Sequence, residues 1–262
     1  MDWLWTNLII NPMVNSMLFL YSLLFNNLPL TILVFTVLIR ALTFPLTWQQ
    51  QKSAKALQEL QQSDEWKKIQ QKYSSPQDRD KLAQEQMKMY QQAGVNPFGS
   101  CLPLLIQFPI IIGLYQAITS AVAATPAQLL TLSTHIYPFF AGAANLLPLD
   151  NRFLWMNLGL PDPFYVMPLL VAATTWVQSK VMTPAAADPQ AAQMSQTMAL
   201  TSTLMFGWFS LSFASGLSIY FIVGNLVSII QYSFTNPINW RNLLSLSSPA
   251  PQPAPEKPRK KK

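Results

Sequence analysis

Five apolar stretches divide the chain: Leu28 to Trp48, Gly99 to Val122, Pro163 to Met182, Thr197 to Phe213 and Gly216 to Phe234. At 1.5 Å per helical residue, a stretch of some twenty positions spans about 30 Å, the thickness of a hydrocarbon core. The last two are separated by little more than Ala214 to Gly216, which predicts a tight helical hairpin. Ahead of the first lies Trp3 to Phe25, apolar but interrupted by Asn7, Asn11, Pro12 and Asn15. That pattern predicts an amphipathic helix over residues 1–27, lying in the interface with Trp3 and Trp5 at headgroup level and leading into the first span. The start MDWLWTN has no positive n-region, and no small-residue cleavage site precedes Leu28, so a signal peptide is disfavoured.

Between the first two spans, residues 49–98 change character. Leu57, Leu60, Ile69 and Tyr73 recur at helical spacing, SSPQD interrupts, and a second run carries Leu82, Met89 and Tyr90 before AGVNP stops it. In SSPQD, Ser75 can cap the new helix, Pro76 suits its first turn, and Asp78 can reach back to complete a capping box. The expectation is a helical hairpin, rich in Gln and Lys, thin in apolar anchors and loosely packed. Residues 123–162 and 183–196 are the remaining connections, and 235–262 form a Pro-rich, then basic, disordered tail.

Composition agrees with the pattern. Half the residues are hydrophobic, only 11% are charged, and mean hydropathy is +0.21, too apolar for an ordinary soluble domain. Of the 17 Lys and Arg, eight fall between Gln49 and Phe98, Lys180 stands at the very end of the third stretch and is counted with the connection that follows, and six follow Phe234; Arg152 alone lies between the second and third spans. By the positive-inside rule the 49–98 segment and the C-terminus are cytoplasmic and the N-terminus is outside, a parity that five spans satisfy. The single cysteine, Cys101, gives no disulfide framework and reads as a packing residue.

The remaining cation, Arg40, stands inside the first span. A charge at the centre of a spanning helix costs about 2.5–3.5 kcal/mol on insertion scales, so it needs a compensating environment. Thr36, Arg40, Thr43 and Thr47 follow one another at i, i+4, i+7 and i+11, a single polar stripe. Pro45 leaves the carbonyl of Ala41 without its helical partner and adds polarity. Matching groups occur elsewhere: Gln107, Thr174 and Gln178, and then Ser218, Asn225 and Ser228. No Asp or Glu lies in any of the five stretches. The charge must therefore be met by water, polar side chains, lipid phosphate or a passing carboxylate, which implies a hydrated cavity. Snorkelling to the interface is the plainer alternative, but Trp48 is eight residues away, about 12 Å along the axis.

At these residues the chain resembles a known family. LVFTVLIRALTFPLTWQQ is similar to the first core span of YidC-type membrane protein insertases, which include the mitochondrial and chloroplast insertases. GVNPFGSCLPLLIQFPIIIGLYQAI resembles their second core span, with Pro103, Gln107 and Pro109 in its spacing, and SGLSIYFIVGNLVSIIQ resembles their fifth. The likeness covers roughly Trp3 to Asn236. It implies an all-α polytopic membrane protein with five transmembrane helices around a hydrophilic groove, open to the cytoplasm and to lipid and closed to the outside, with a cytoplasmic helical hairpin. Arg40 would be the groove arginine, Thr36 its neighbour, and Gln178 and Asn225 part of the lining, to which the polar pattern itself adds Thr43 and Gln107 as candidate groove positions. Phe108 and Pro109 match positions where the family guides an incoming hydrophobic segment. Phe221 departs from the pattern, standing where many members have Trp, and the large extracytoplasmic domain of Gram-negative relatives has no counterpart here.

The function so implied is insertion and chaperoning of nascent membrane proteins, without enzymatic chemistry and without cofactor or metal, in a bacterial plasma or thylakoid membrane. A monomer is expected, with membrane lipids, the Sec translocon and, through the basic tail, the ribosome as candidate partners. Nothing matches a phosphate-cradling GxxxxGK loop. The alternative is a small-solute or ion transporter or channel, which a polar intramembrane stripe also suits; the missing acidic relay and internal repeat weigh against it. Ser215 in FASG could suggest a serine protease, but the one histidine, His135, lies in the external connection.

Overall fold

The computed structural model describes residues 2–73, 75–94, 102–122, 130, 132, 135–138, 147, 149–182 and 189–235. Cys101, Val95 to Pro97 of the AGVNP stop and the basic tail lie outside them. Among the described residues the protein is almost entirely helical. In chain order the helices are α1 (Asp2–Trp5), a π-turn (Thr6–Ile10), α2 (Asn11–Leu23), α3 (Leu28–Gln62), α4 (Asp64–Lys72), α5 (Arg79–Gln92), α6 (Leu102–Ala121), α7 (Val166–Met182), α8 (Pro189–Ser212) and α9 (Ser215–Thr235). A two-stranded antiparallel hairpin, β1 (Arg152–Phe153) and β2 (Met156–Asn157), precedes α7.

α3 begins where Asn27 accepts a hydrogen bond from the Leu30 amide and Pro29 occupies the first turn. It then runs 35 residues, through Pro45 and fourteen positions past Trp48. The stretch QQQKSAKALQELQQ consists largely of good helix formers and contains no breaker, so nothing ends the helix at the edge of the apolar window. Ser63 ends it, and its hydroxyl accepts from the Trp66 amide to start α4. α4 and α5 make a hairpin pinned by the Trp66 and Tyr90 rings, whose centroids lie 5.3 Å apart. The expected Ser75–Asp78 capping box does not form. A 3-10 turn at Pro76–Asp78 intervenes, and the Asp78 carboxylate pairs with Lys81 at 3.1 Å.

The apolar core lies at one end of the bundle. It combines Leu28, Ile32 and Phe35 of α3, Leu114, Ala117 and Ile118 of α6, Leu217, Tyr220 and Phe221 of α9, and Leu158 of the connection. Outer faces are apolar too. Leu33, Leu38 and Leu42 of α3 and Leu200, Leu204 and Trp208 of α8 are all exposed, and only 22% of the most apolar stretch of α3 is buried. A soluble protein's core helix would be covered; this surface suits lipid. Among the described residues α3 and α9 are long and apolar enough to cross a membrane.

The N-terminal helix is packed into this core. Val14, Met17, Leu18 and Tyr21 are buried, and the Trp5 indole donates to Gln116 Oε1 of α6 at 2.9 Å. The asparagines that interrupt the apolar pattern act as clamps. Asn15 donates to the His135 carbonyl and accepts from the Tyr137 amide, while His135 Nδ1 lies 2.8 Å from Asn11 Oδ1. The helix reaches α6 because Gly113 has no side chain: a Cβ there would stand 2.6 Å from Ile9 Cγ2 and 2.7 Å from Met13 Sδ. Gly113→Val should therefore destabilise the protein by about 1–3 kcal/mol through overpacking. A fall in the apparent melting temperature of the purified protein would register it, and an unchanged value would mean the N-terminal helix is not held here.

Candidate functional site

The Arg40 side chain extends from α3 toward α9. A Cβ at Gly224 would meet its Nη2 at 2.9 Å, so the guanidinium lies directly against the α9 backbone. Arg40 is partly exposed, but its Nε is buried and has no hydrogen-bond partner among the described residues. The backbone around it is held more firmly. Gln231 of α9 donates to the Arg40 carbonyl at 3.1 Å, and Thr235 donates to Gln51 Oε1 at 2.8 Å further along the same seam.

The other expected site residues separate into two sets. Gln107 comes to the arginine's side of the bundle: its Nε2 donates to the Tyr220 hydroxyl at 2.6 Å, tying α6 to α9 one turn from Gly224. Thr43 is half-buried and donates to the Ile39 carbonyl, and Thr47 donates to that of Phe44, so both satisfy themselves locally on the arginine's helix. Thr36, by contrast, is fully buried and donates to the Ile32 carbonyl at 2.6 Å. It belongs to packing between helices. Asn225 is buried and donates to the Thr174 and Thr175 hydroxyls, both at 3.0 Å, clamping α9 to α7. Gln178 is half-buried on α7 one turn beyond that clamp, and no hydrogen bond joins it to Arg40 among the described residues. Phe108 is exposed on α6, with Pro109 half-buried beside it inside the helix.

Periodicity placed these side chains on their helices but could not say which neighbour each would meet. Two residues escaped it altogether. Gly224 carries no side chain to read, and Lys180, at the end of the third stretch, counts by sequence with the charges of the connection that follows. Lys180 instead lies in the last turn of α7, buried, with its ammonium 4.8 Å from the Trp176 ring centroid.

At the opposite end the helices are stoppered. Ser215 opens α9 and is fully buried; its hydroxyl lies 2.9 Å from the Asn157 carbonyl and 2.8 Å from that of Leu160, and its amide donates to Leu160 as well. Those contacts fix the 150–165 connection across the α8–α9 turn. They give the Ser215 hydroxyl a structural use. The carboxylate of Asp162, buried beneath this segment, accepts from the Trp155 indole and from the Phe164 and Met167 amides.

The family model described as 60Kd inner membrane protein matches residues 19–241. The chain is 35% identical over 231 residues to the membrane protein insertase MisCA of Bacillus subtilis, covering 87% of this chain and 77% of that protein. It is 34% identical over 237 residues to membrane protein insertase YidC 2 of Listeria innocua, covering 88% and 72%. In structure it is similar to an active YidC insertase with its first transmembrane domain resolved. The TM-score is 0.56 at 22% identity, over 81% of this chain and 42% of that one.

Proposed function

The chain belongs to the 60Kd inner membrane protein family of YidC-type membrane protein insertases, and from that premise we propose that Arg40 is the electrostatic attractor of a groove that takes up short acidic segments of its substrates. Insertion of nascent membrane proteins from within the membrane is the family's activity, and it is this protein's. The proposal concerns how. Five spans, α3, α6, α7, α8 and α9, surround the groove, with the N-terminus outside and the C-terminus in the cytoplasm.

One observation carries the reading: the bundle changes from apolar to polar along its length. Where α3 and α9 begin, Leu28, Ile32, Leu217 and Leu158 close the end under the 150–165 connection. Arg40 lies twelve residues further along α3, about 18 Å deeper, partly exposed and with a nitrogen left unsatisfied. A half-buried guanidinium with no Asp or Glu in the five spanning stretches to pair with is a poor stabiliser of a fold and a strong attractor for an arriving carboxylate. The substrate's hydrophobic segment passes Phe108 and Pro109 into lipid, driven by its own transfer free energy. An inside-negative potential adds about 2.3 kcal/mol per 100 mV for each negative charge moved outward. Thr43, Gln107 and Gln178 line the path, while Thr36 and Asn225 hold its walls. Ribosome and Sec translocon are the candidate partners of the cytoplasmic side.

Water access tests this. In protein whose Cys101 is replaced by Ser, Thr43→Cys should react with a membrane-impermeant maleimide from the cytoplasmic face. Leu42→Cys should not, although Leu42 is 75% exposed on the isolated chain, because lipid covers it. Equal labelling at the two positions, or none at 43, would remove the groove. Arg40-dependent flux of ions or small solutes through liposomes would instead favour a transporter.

A further inference from the structure

The seat of the guanidinium goes beyond its charge. A Cβ built on Gly224 would lie 2.9 Å from Nη2, 3.3 Å from Nε and 3.5 Å from Cζ of Arg40. Nε and Nη2 form one of the two edges with which arginine makes forked, bidentate pairs with carboxylates; Nη1 and Nη2 form the other. That edge is turned to the α9 backbone, and its Nε is buried without a hydrogen bond. Nη1 lies further from α9's missing side chain than any of these atoms, and the residue as a whole keeps part of its surface open. The helix is fixed at this level on both sides. Tyr220, one turn before Gly224, accepts from Gln107 of α6, and Asn225, the next residue, is clamped to α7.

We infer that Gly224 is a positioning residue: by carrying no side chain it seats the Nε–Nη2 edge against α9, so that Arg40 meets the substrate end-on, with its Nη1 end. The inference rests on the reading of Arg40 as the groove's attractor and specifies how that attractor works. The arrangement also asks of the side chain only a point charge at the right depth.

The test measures insertion into proteoliposomes of two single-span substrates that differ only in two tail residues, Asp in one and Asn in the other. The quantity read is the preference for the acidic tail over the neutral one. Gly224→Leu should lower it about tenfold, and Gly224→Ala, whose Cβ meets only the tip of a flexible side chain, about twofold. Combining Gly224→Ala with Arg40→Lys should restore the preference of Arg40→Lys alone, because an ammonium does not need the seat. In an Arg40→Ala background Gly224→Leu should change the preference no further. If Gly224→Leu lowers insertion of both substrates equally, with and without Arg40, the residue only packs helices and the inference is overturned. It is overturned as well if neither Gly224 variant alters the preference. Should Arg40→Ala itself keep the full preference, the attractor reading fails, a result that the position 224 variants alone could not produce.

Discussion

Arg40→Glu should abolish insertion of a single-span substrate with a short acidic outer tail, while Arg40→Lys keeps most of it. Two unit charges 4 Å apart interact by about 4 kcal/mol at an effective dielectric constant of 20. Replacing attraction by repulsion of similar size shifts the tail's uptake by several kcal/mol, and each 1.4 kcal/mol is about tenfold, so insertion should fall below a hundredth of the native level. No Asp or Glu lies in the five spanning stretches to offset the change. Lysine restores the sign and most of the reach, and the Nε edge that lysine lacks is the one turned to α9. The readout is the fraction of substrate tail protected from protease inside sealed vesicles containing purified insertase. A substrate whose tail carries Lys in place of Asp should be recovered by Arg40→Glu, since the pairing is then complementary again. Native-level insertion of the acidic substrate by Arg40→Glu would end the electrostatic account.

Arg40 stands out in the sequence because of its cost: a lone cation in an apolar run has to be explained. The apolar windows stand out in the same way, because 1.5 Å per residue and 30 Å of hydrocarbon leave little choice of length, and α3 and α9 meet that length among the described residues. What sequence could not show was partner choice. Thr36 and Thr43 share one face of α3, yet Thr36 is sealed against its neighbours and Thr43 stays half-open. Asn225 reads as groove polarity and turns out to bind two threonines of α7. Helical periodicity gives a direction around one axis, whereas the burial of a side chain depends on which other helix lies there. Gly113 and Gly224 were missed because a close approach is recorded in sequence only as a missing side chain. The extent of α3 was missed because hydropathy marks the edge of the membrane, and hydrogen bonds and propensity continue past it.

The connection that stoppers the outer end should depend on one carboxylate. Asp162 is 3% exposed, and it accepts from the Met167 amide at 2.7 Å, the Trp155 indole at 2.9 Å and the Phe164 amide at 3.1 Å. Burial works to raise its pKa, but hydrogen bonds from Met167, Phe164, Trp155 and Val166 outweigh it and hold the carboxyl below its ordinary value. A carboxyl whose folded-state pKa is depressed stabilises the fold at any pH above the unfolded value, and that contribution disappears as pH falls through the folded value. Asp162→Asn keeps the size but turns an amide donor toward groups that are themselves donors. It should cost about 3 kcal/mol at neutral pH, since hydrogen bonds to a charged group contribute about 1.5–3 kcal/mol each. In a chain of this size that lowers the apparent melting temperature by about 6–12 °C. The gap between native and variant should be constant from neutral pH down to the ordinary carboxylate range and then close below it. Because Asp162 joins the β1–β2 turn to the first turn of α7, and the same connection holds Ser215 through Asn157 and Leu160, the stopper should loosen as a unit. Faster hydrogen exchange across 152–165 in Asp162→Asn, with α3 unaffected, would mark that unit. A melting gap that persists undiminished in acid would mean that the lost stability came from packing and that the carboxylate's charge had no part in it.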